Sequence, residues 1–419
     1  MTSSTIHPAA RPHVVRRAFT VVELLVVVVI ILIVLTVATP AFQSMLYSAA
    51  RSESANSVNA AVLAAREIAL RSASGDDGAV VFVYDRDGTM RVIPAVRVGT
   101  VLEPVYGAGG AGGGPSSLGG SPRVRRDVFA PVPQAAAFQM PAFWNVRGYA
   151  PANSMIEYVA GERPSENLAV WYNSAMYGAT DVTDDAKLEG NWVFPETAFY
   201  DIDQPSSRSG PNAPTARQSF MIRFDSATGT VSADRSPALF IDPRPSTVNR
   251  PGGARPQAVQ RWLRPDRAED LGAWARGLIA SPPINANGDR LRPPFTEASD
   301  ATRLSFIGMS SNDTILVKPV SRIAVYDERV MARDLGARRL NANTNSLYSP
   351  VARGSNAGGN QIDLGLFPNA TNPEALRQRI NRWLDGDTNN DGTIDDDDQP
   401  QARIYLLRPG TGDLTEVLR

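Results

Sequence analysis

Cysteine is absent from the 419 residues, and histidine occurs only at His7 and His13. No disulfide can form, so the fold must be held by core burial or by a bound metal. Beyond residue 13 the chain cannot build a Ser-His-Asp or Cys-His nucleophile, a zinc site of the usual type or a thiol redox centre. Paired carboxylates are the hydrolytic machinery that remains, and nothing marks one pair for that work. Lysine is also scarce: of 42 basic residues, only Lys187 and Lys318 are lysine. The arginine excess reads as compositional bias of the genome rather than phosphate recognition. The formal net charge of −1 argues against a nucleic-acid-coating protein, and no nucleic-acid partner is expected.

What the chain does have is one long apolar run. Leu24 to Ala38 carries no charge and one hydroxyl, Thr36, behind Arg11, Arg16 and Arg17. A helix that is apolar on every face belongs in a membrane or a large core, and the upstream arginines favour the membrane. Glu23 sits at the edge of this run, where a carboxylate is costly without a partner. Pro40 follows the run and is expected to loosen the helix locally, since proline lacks an N–H and crowds the preceding turn.

The segment Ala18-Phe19-Thr20-Val21-Val22-Glu23, the apolar run and Pro40 resemble the N-terminus of type IV pilins and type II secretion pseudopilins. That family has a basic leader, a small residue before the cut, Phe at mature position one and Glu at position five. With the cut between Ala18 and Phe19, Glu23 falls at position five and Pro40 at position 22, where the family also places a proline. The family has Gly before the cut where this chain has Ala18, which implies slower processing rather than none. A plain signal-anchor helix would leave Glu23 and Pro40 without a reason. The resemblance implies cleavage by prepilin peptidase, N-methylation of the Phe19 amine, a single-pass inner-membrane anchor, and pairing of Glu23 with that amine on a neighbouring subunit. With the leader gone, the mature chain would hold neither His nor Cys.

Residues 1–18 are thus the expected leader and 19–74 a transmembrane and spine helix of ~84 Å at ~1.5 Å rise per residue. Leu46, Val58, Val62, Ala65 and Ala69 recur at helical spacing, and Gly75 is placed to end the helix. The tract AVLAAREIALRSASG resembles the helix end of H-class minor pseudopilins. Residues 75–419 read as a β-rich periplasmic or extracellular domain. Ala79–Tyr84 and Thr89–Val96 flank the turn Asp85-Arg86-Asp87-Gly88, and Ser219–Phe224 precedes a second turn, Asp225 to Gly229. Further strands are expected at Met155–Val159, Leu168–Tyr172, Gly190–Phe194, Ala238–Ile241, Leu304–Met309, Thr314–Val317, Arg322–Tyr326 and Ala402–Leu407. Helices are expected at Ala268–Ile279 and Pro373–Leu384. Residues 106–122 are rich in Gly, Ser and Pro and read as a flexible loop, and 332–361 also reads as loop. The expected fold is α+β: one long helix packed on an antiparallel sheet with long insertions. Trp144, Trp171, Tyr172, Tyr177, Trp192, Phe194, Phe199 and Tyr200 read as core aromatics rather than a stacking face for sugars or bases.

Asp387 to Asp398, DTNNDGTIDDDD, fits the twelve-residue EF-hand calcium loop. Asp387, Asn389 and Asp391 stand at positions one, three and five, and Gly392 at six. Thr393 supplies a carbonyl at seven, Ile394 at eight packs inward, Asp395 acts at nine and Asp398 closes the loop at twelve. Calcium takes six to eight hard oxygen ligands, which is what Asp and Asn provide. The competing reading is a solvated acidic surface. Leu376, Ile380, Trp383 and Leu384 form an apolar stripe on the preceding helix, and a strand rather than a second helix follows. One such loop is similar to half of a dockerin.

The resemblance implies a structural subunit, not an enzyme. Within that resemblance the expected role is a minor pseudopilin of a type II secretion system, assembling with other pilin-like subunits and contacting secreted cargo. The alternatives are a minor type IV pilin acting in adhesion or DNA uptake, and a membrane-anchored hydrolase using carboxylates.

Overall fold

The computed structural model describes residues 21–72, 74–85, 88–104, 123–133, 137–151, 190–195, 218–234, 236–244, 264–265, 267–281, 307–308, 314–348, 362–368, 373–389, 391, 393–395, 398 and 400–417. The chain divides into two compact units, Met1–Ser52 and Glu53–Arg419. The first contributes only the beginning of helix α1, which runs from Val21 to Arg71. It is α+β as a whole, and the second unit carries all the strands.

The apolar run AVVFVY forms β1 (Gly78–Tyr84), buried along its whole length because both of its faces are covered. It turns into β2 (Met90–Pro104) in antiparallel register from Gly78↔Val96 to Tyr84↔Met90. In the turn the Asp85 N–H donates to the Thr89 carbonyl at 2.8 Å. Gly88 has φ +81°, a conformation that side chains with a Cβ disfavour. A bulge between Arg97 and Gly99 carries β2 away from β1 and onto β3 (Arg123–Pro131).

The remaining strands close this hairpin into a barrel. With β7 (Gln218–Phe224), β8 (Ala238–Ile241) and β9 (Thr314–Pro319), the order is β1-β7-β9-β8-β3-β2, and β2 pairs back onto β1. The short β4 (Phe138–Gln139) adds to β2. The expectation of an antiparallel sheet is corrected here, because β3–β8 and β7–β9 are parallel. Parallel neighbours need a crossover of a dozen or more residues, and the long segments between these strands supply it. Alternate residues of all six strands fill the barrel: Ala79, Val81, Val83, Ile93, Ala95, Phe129, Met221, Ala238, Phe240, Ile315 and Val317. Six strands enclose only enough space for side chains, so the barrel is a core and not a pore.

Three layers cover its outside. Within the second unit, Ser54, Ala55, Val58, Ala61, Val62, Ala65 and Ala69 of α1 are buried at three- and four-residue spacing. Helix α2 (Leu271–Ala280) lays Leu271, Ala275 and Leu278 over Val98, Val101, Val128 and Ala130. The third layer is an antiparallel sheet in the order β12-β11-β10-β5-β6. Its strands are β5 (Trp144–Ala150), β6 (Asn191–Val193), β10 (Arg322–Asp327), β11 (Arg403–Leu407) and β12 (Leu414–Glu416). A Cβ on Gly148 would lie 2.7 Å from the Phe220 ring, so glycine is what lets β5 approach the barrel.

Helix α3 (Glu328–Asp334) follows β10 directly, started by the Asp327 carboxylate accepting from the Arg329 N–H. Its first residues lie where strand was expected to give way and its last within the predicted loop. Helix α4 (Pro373–Asp385) matches the expected helix. Gly75 has φ +67° and donates to Ser72 O at 3.1 Å, closing a turn just beyond α1. The expected strands Met155–Val159 and Leu168–Tyr172 and the loop 106–122 lie outside the described residues.

Candidate assembly helix and calcium loop

Ala18 and Phe19, the expected cleavage residues, lie outside the described residues. Glu23 stands in the first turn of α1. The apolar residues that follow it are all exposed, and none of the most apolar 18-residue stretch is buried. The helix is long and apolar enough to cross a membrane. Its two threonines bond inside the helix: Thr36 Oγ1 donates to Leu32 O at 2.7 Å and Thr39 Oγ1 to Leu35 O at 2.6 Å. Such back-bonding lets a hydroxyl face an apolar solvent. The helix continues through Pro40. Leu46, expected on the packing stripe, is 54% exposed, whereas Val58, Val62, Ala65 and Ala69 are buried as expected.

From Ser54 onward small residues dominate the buried face of α1. Gly78 of β1 lies so near that a Cβ there would stand 2.2 Å from Ala65 O. Arg66 fixes the same face, donating from Nε to Gly229 O at 3.1 Å and from Nη1 to Asp413 Oδ1 at 3.0 Å. The helix is thereby joined to the β7 turn and to the turn between β11 and β12.

The stripe predicted on α4 is present, with Leu376, Ile380, Trp383 and Leu384 all buried. Trp383 Nε1 donates to Asp334 Oδ2 and Trp192 Nε1 to Asp385 Oδ1, both at 3.1 Å. The helix therefore presents the acidic loop from a fixed base. Asp398 folds back on the start of that loop. Its Oδ1 accepts from the N–H groups of Thr388 at 2.7 Å and Asn389 at 3.2 Å, and its Oδ2 from the Asp395 N–H at 3.2 Å. Burial works to raise its pKa, but these backbone donors outweigh it and hold the carboxyl below the usual range. Asp391 Oδ1 accepts from the Thr393 N–H and hydroxyl at 2.9 and 2.8 Å, and its Oδ2 from Asn389 Nδ2 at 3.1 Å. The Thr393 donors lower its pKa also.

Asp387 is buried at the loop entrance, while Asn389, Asp391, Thr393 and Asp395 are exposed. Ile394, expected to pack inward, is 59% exposed, a correction to the EF-hand pattern. Gly392 lies outside the described residues. The donor set is all oxygen and suits calcium. Among the described residues, however, no three acidic side chains gather closely enough to hold a metal, because Asp391 and Asp398 are turned to N–H donors.

Three arginines with little-exposed side chains, Arg223 and Arg147 buried and Arg244 half-buried, escaped the sequence reading. Arg223 caps one end of the barrel with its guanidinium 5.5 Å over the Phe129 ring. Its Nη2 lies 2.7 Å from Asp77 and 2.6 Å from Asp127, and its Nη1 2.8 Å from Asp234. Burial works to lower its pKa, but the Asp77 hydrogen bond and the three carboxylate charges raise it on balance. At the β8 end Arg244 bridges Asp242 at 2.7 Å and Asp85 at 3.1 Å. In the second sheet Arg147 donates to the hydroxyls of Tyr326 and Tyr348, both at 2.8 Å, and lies 5.0 Å over Phe194. Burial pushes the Tyr326 phenol well above its ordinary range. For Arg147 and Arg223 the signal was present in the sequence: each is a charge within a largely apolar strand, and such a charge needs built partners. Trp144, Trp192 and Phe194 are core residues as expected. The other five aromatics of that group lie outside the described residues.

No family model, curated protein or solved structure matches this chain.

Proposed function

We propose that the chain is a pilin-like structural subunit of a membrane-anchored fibre, a minor pseudopilin of a type II secretion system, and not an enzyme. One observation carries this reading: a carboxylate stands in the first turn of an exposed apolar helix that continues, unbroken at Pro40, into a half with a buried face of small residues. An anchor alone needs no acid there. A subunit that enters a bundle of like helices does, because Glu23 meets the Phe19 amine of its neighbour and each charge compensates the other in lipid. Prepilin peptidase frees that amine by cutting after Ala18. The β1–β2 hairpin directly after the helix agrees with the H-class resemblance, while the closed barrel goes beyond it. The β domain faces neighbouring subunits or secreted cargo. Among the described residues, Asp77 and Asp127 share the Arg223 guanidinium, which holds both as ion-pair partners and does not favour the hydrolase alternative.

The experiment is Glu23→Val in cells carrying the assembly machinery. Membrane insertion should be unchanged, because a charge has been taken out of lipid. Incorporation into the fibre should fall at least tenfold. Normal secretion or piliation by the variant would remove the salt-bridge role.

A further inference from the structure

Strand pairing sets four side chains in a row across the second sheet. Leu406 of β11 stands opposite Arg322 of β10, and Tyr149 of β5 opposite Trp192 of β6. Residues directly opposite in register share a face. Gly148, beside Tyr149, faces Phe220 of the barrel, so alternation turns the row to the other side. The Arg322 guanidinium joins the two pairs. It lies 3.6 Å from the centroid of the Tyr149 ring and 4.8 Å from that of Trp192. The two rings meet edge to face, with 5.2 Å between centroids. Trp192 is tied down by its Nε1 donating to Asp385. A Cβ on Gly190 would collide with the Tyr149 hydroxyl, so glycine there is what admits the ring.

No carboxylate, carbonyl or hydroxyl meets Arg322 among the described residues. Its Nε is shut off from solvent without an acceptor, so the rings alone hold the side chain. The residue is half-buried and its two Nη groups reach the surface. Beside it Leu406 is 44% exposed. The carboxylates attached to the same row are engaged elsewhere: Asp385 accepts from Trp192, and Glu416, next to the Thr415 that faces Leu406, pairs with Arg403 at 3.4 Å. The row therefore presents a fixed cation without an anion, next to an open apolar side chain.

We propose that this row binds an acidic peptide segment, with a carboxylate on the Nη edge of Arg322 and a neighbouring apolar side chain on Leu406. Stacking covers the face of a guanidinium and leaves its in-plane N–H groups free. Two Nη donors match the two oxygens of a carboxylate. The rings fix the donors before anything binds, so little side-chain freedom is lost on binding. A sugar or a base finds little ring to stack on, because Arg322 takes one face of Tyr149 and Trp192 is 1% exposed. What the row leaves open is charge of one sign and one aliphatic side chain, and a carboxylate beside an apolar residue complements both. The inference concerns the β domain alone and does not use the fibre reading.

The test uses the full-length chain in non-ionic detergent, outside any fibre. The probe is the capped peptide acetyl-Gly-Ser-Leu-Glu-Ser-Gly-amide, compared by calorimetry with the same peptide carrying Gln in place of Glu. The Glu peptide should bind at least tenfold more tightly. Arg322→Gln should erase that preference, and Arg322→Lys, which keeps the charge but not the paired donors, should restore only part of it. Leu406→Ser should weaken both peptides alike. A readout on the unaltered protein guards against a variant that fails to fold: phenylglyoxal modifies accessible arginines, and mass spectrometry reads the extent at Arg322. The Glu peptide should slow modification there at least fivefold and the Gln peptide should not. Equal affinity for the two peptides, or no protection of Arg322 by the Glu peptide, would overturn the proposal. So would equal protection by sodium glucuronate, which would make the ligand a sugar acid, or by sodium sulfate, which would make the row a general anion site.

Discussion

Replacing Arg223 by Met tests what holds the barrel shut. The guanidinium is 6% exposed and faces Asp77 and Asp127, whose side chains are 12% and 16% exposed. Met fills much of the same volume but leaves the Asp77 carboxylate without its Arg223 partner and Asp127 with only the longer contact to Arg97, at 3.8 Å. Breaking a buried pair by removing one partner costs about 3–5 kcal/mol, because the other charge stays buried. The third partner, Asp234, is 43% exposed and adds no more than ~1 kcal/mol, as surface pairs do. The expected loss is therefore about 3–5 kcal/mol. With a urea slope of ~3 kcal/mol/M for a large domain, the unfolding midpoint should fall by at least ~1 M. Urea titration of the full-length protein in detergent reads this through the fluorescence of Trp144 and Trp192, both buried. Adding Asp77→Asn and Asp127→Asn to Arg223→Met should recover part of the loss, since the orphaned charges are gone. A cost under about 1 kcal/mol for Arg223→Met alone would mean that the fan of carboxylates is solvated in practice, and the reasoning would fail.

N-terminal sequencing of the mature protein should begin at Phe19, and Ala18→Gly should process as fast or faster; a chain that keeps its leader beside an active prepilin peptidase would refute the cleavage register. Calcium should raise the melting temperature above that in chelator, and by more than magnesium does, with Asp387→Ala plus Asp391→Ala abolishing the difference. The gain follows RT ln(1 + [L]/Kd), about 2.7 kcal/mol at a hundredfold excess over Kd, and identical melting curves would leave the loop an acidic surface. Because the folded pKa values of Asp391 and Asp398 are depressed, their stabilisation is present above about pH 3.8 and is lost as pH falls through the lower folded values. Asp391→Asn with Asp398→Asn should therefore flatten the acid limb of the stability profile below about pH 4 and lower the neutral plateau, where their contribution is fully present.

The elements legible in the sequence were those with local causes. β1 and β8 announced themselves as short apolar runs, the Asp85–Gly88 turn by its chemistry, and α4 by its stripe. β3 and β5 did not, because RVRRDVFAP and WNVRGYA carry arginines where a strand reader expects alternation. Arg147 and Arg223 are acceptable inside strands only because residues far along the chain, Tyr326 and Tyr348 for one and Asp77 and Asp127 for the other, were folded around them. No window of ten or fifteen residues contains both halves of such an arrangement. Barrel closure was hidden for the same reason: β9 lies between β7 and β8 through pairings that no local turn dictates. At the candidate sites, the apolar helix with Glu23 was readable from composition. The outward turn of Ile394 was not, since it depends on the donors that Asp391 and Asp398 meet.

The position of β9 also sets the order of events in the cell. The barrel cannot close until Thr314–Pro319 is available to stand between β7 and β8. At ~5–20 residues per second, that strand leaves the ribosome roughly 12–50 s after the end of α1. If the apolar helix enters a membrane as it is made, the chain is tethered well before its β domain has a core. For that interval the small-residue face at Ala65 and Ala69 has β1 as its partner but no barrel behind β1. The unfinished chain is the species that a chaperone or protease would meet, and a chain truncated before Pro319 would stay in that state.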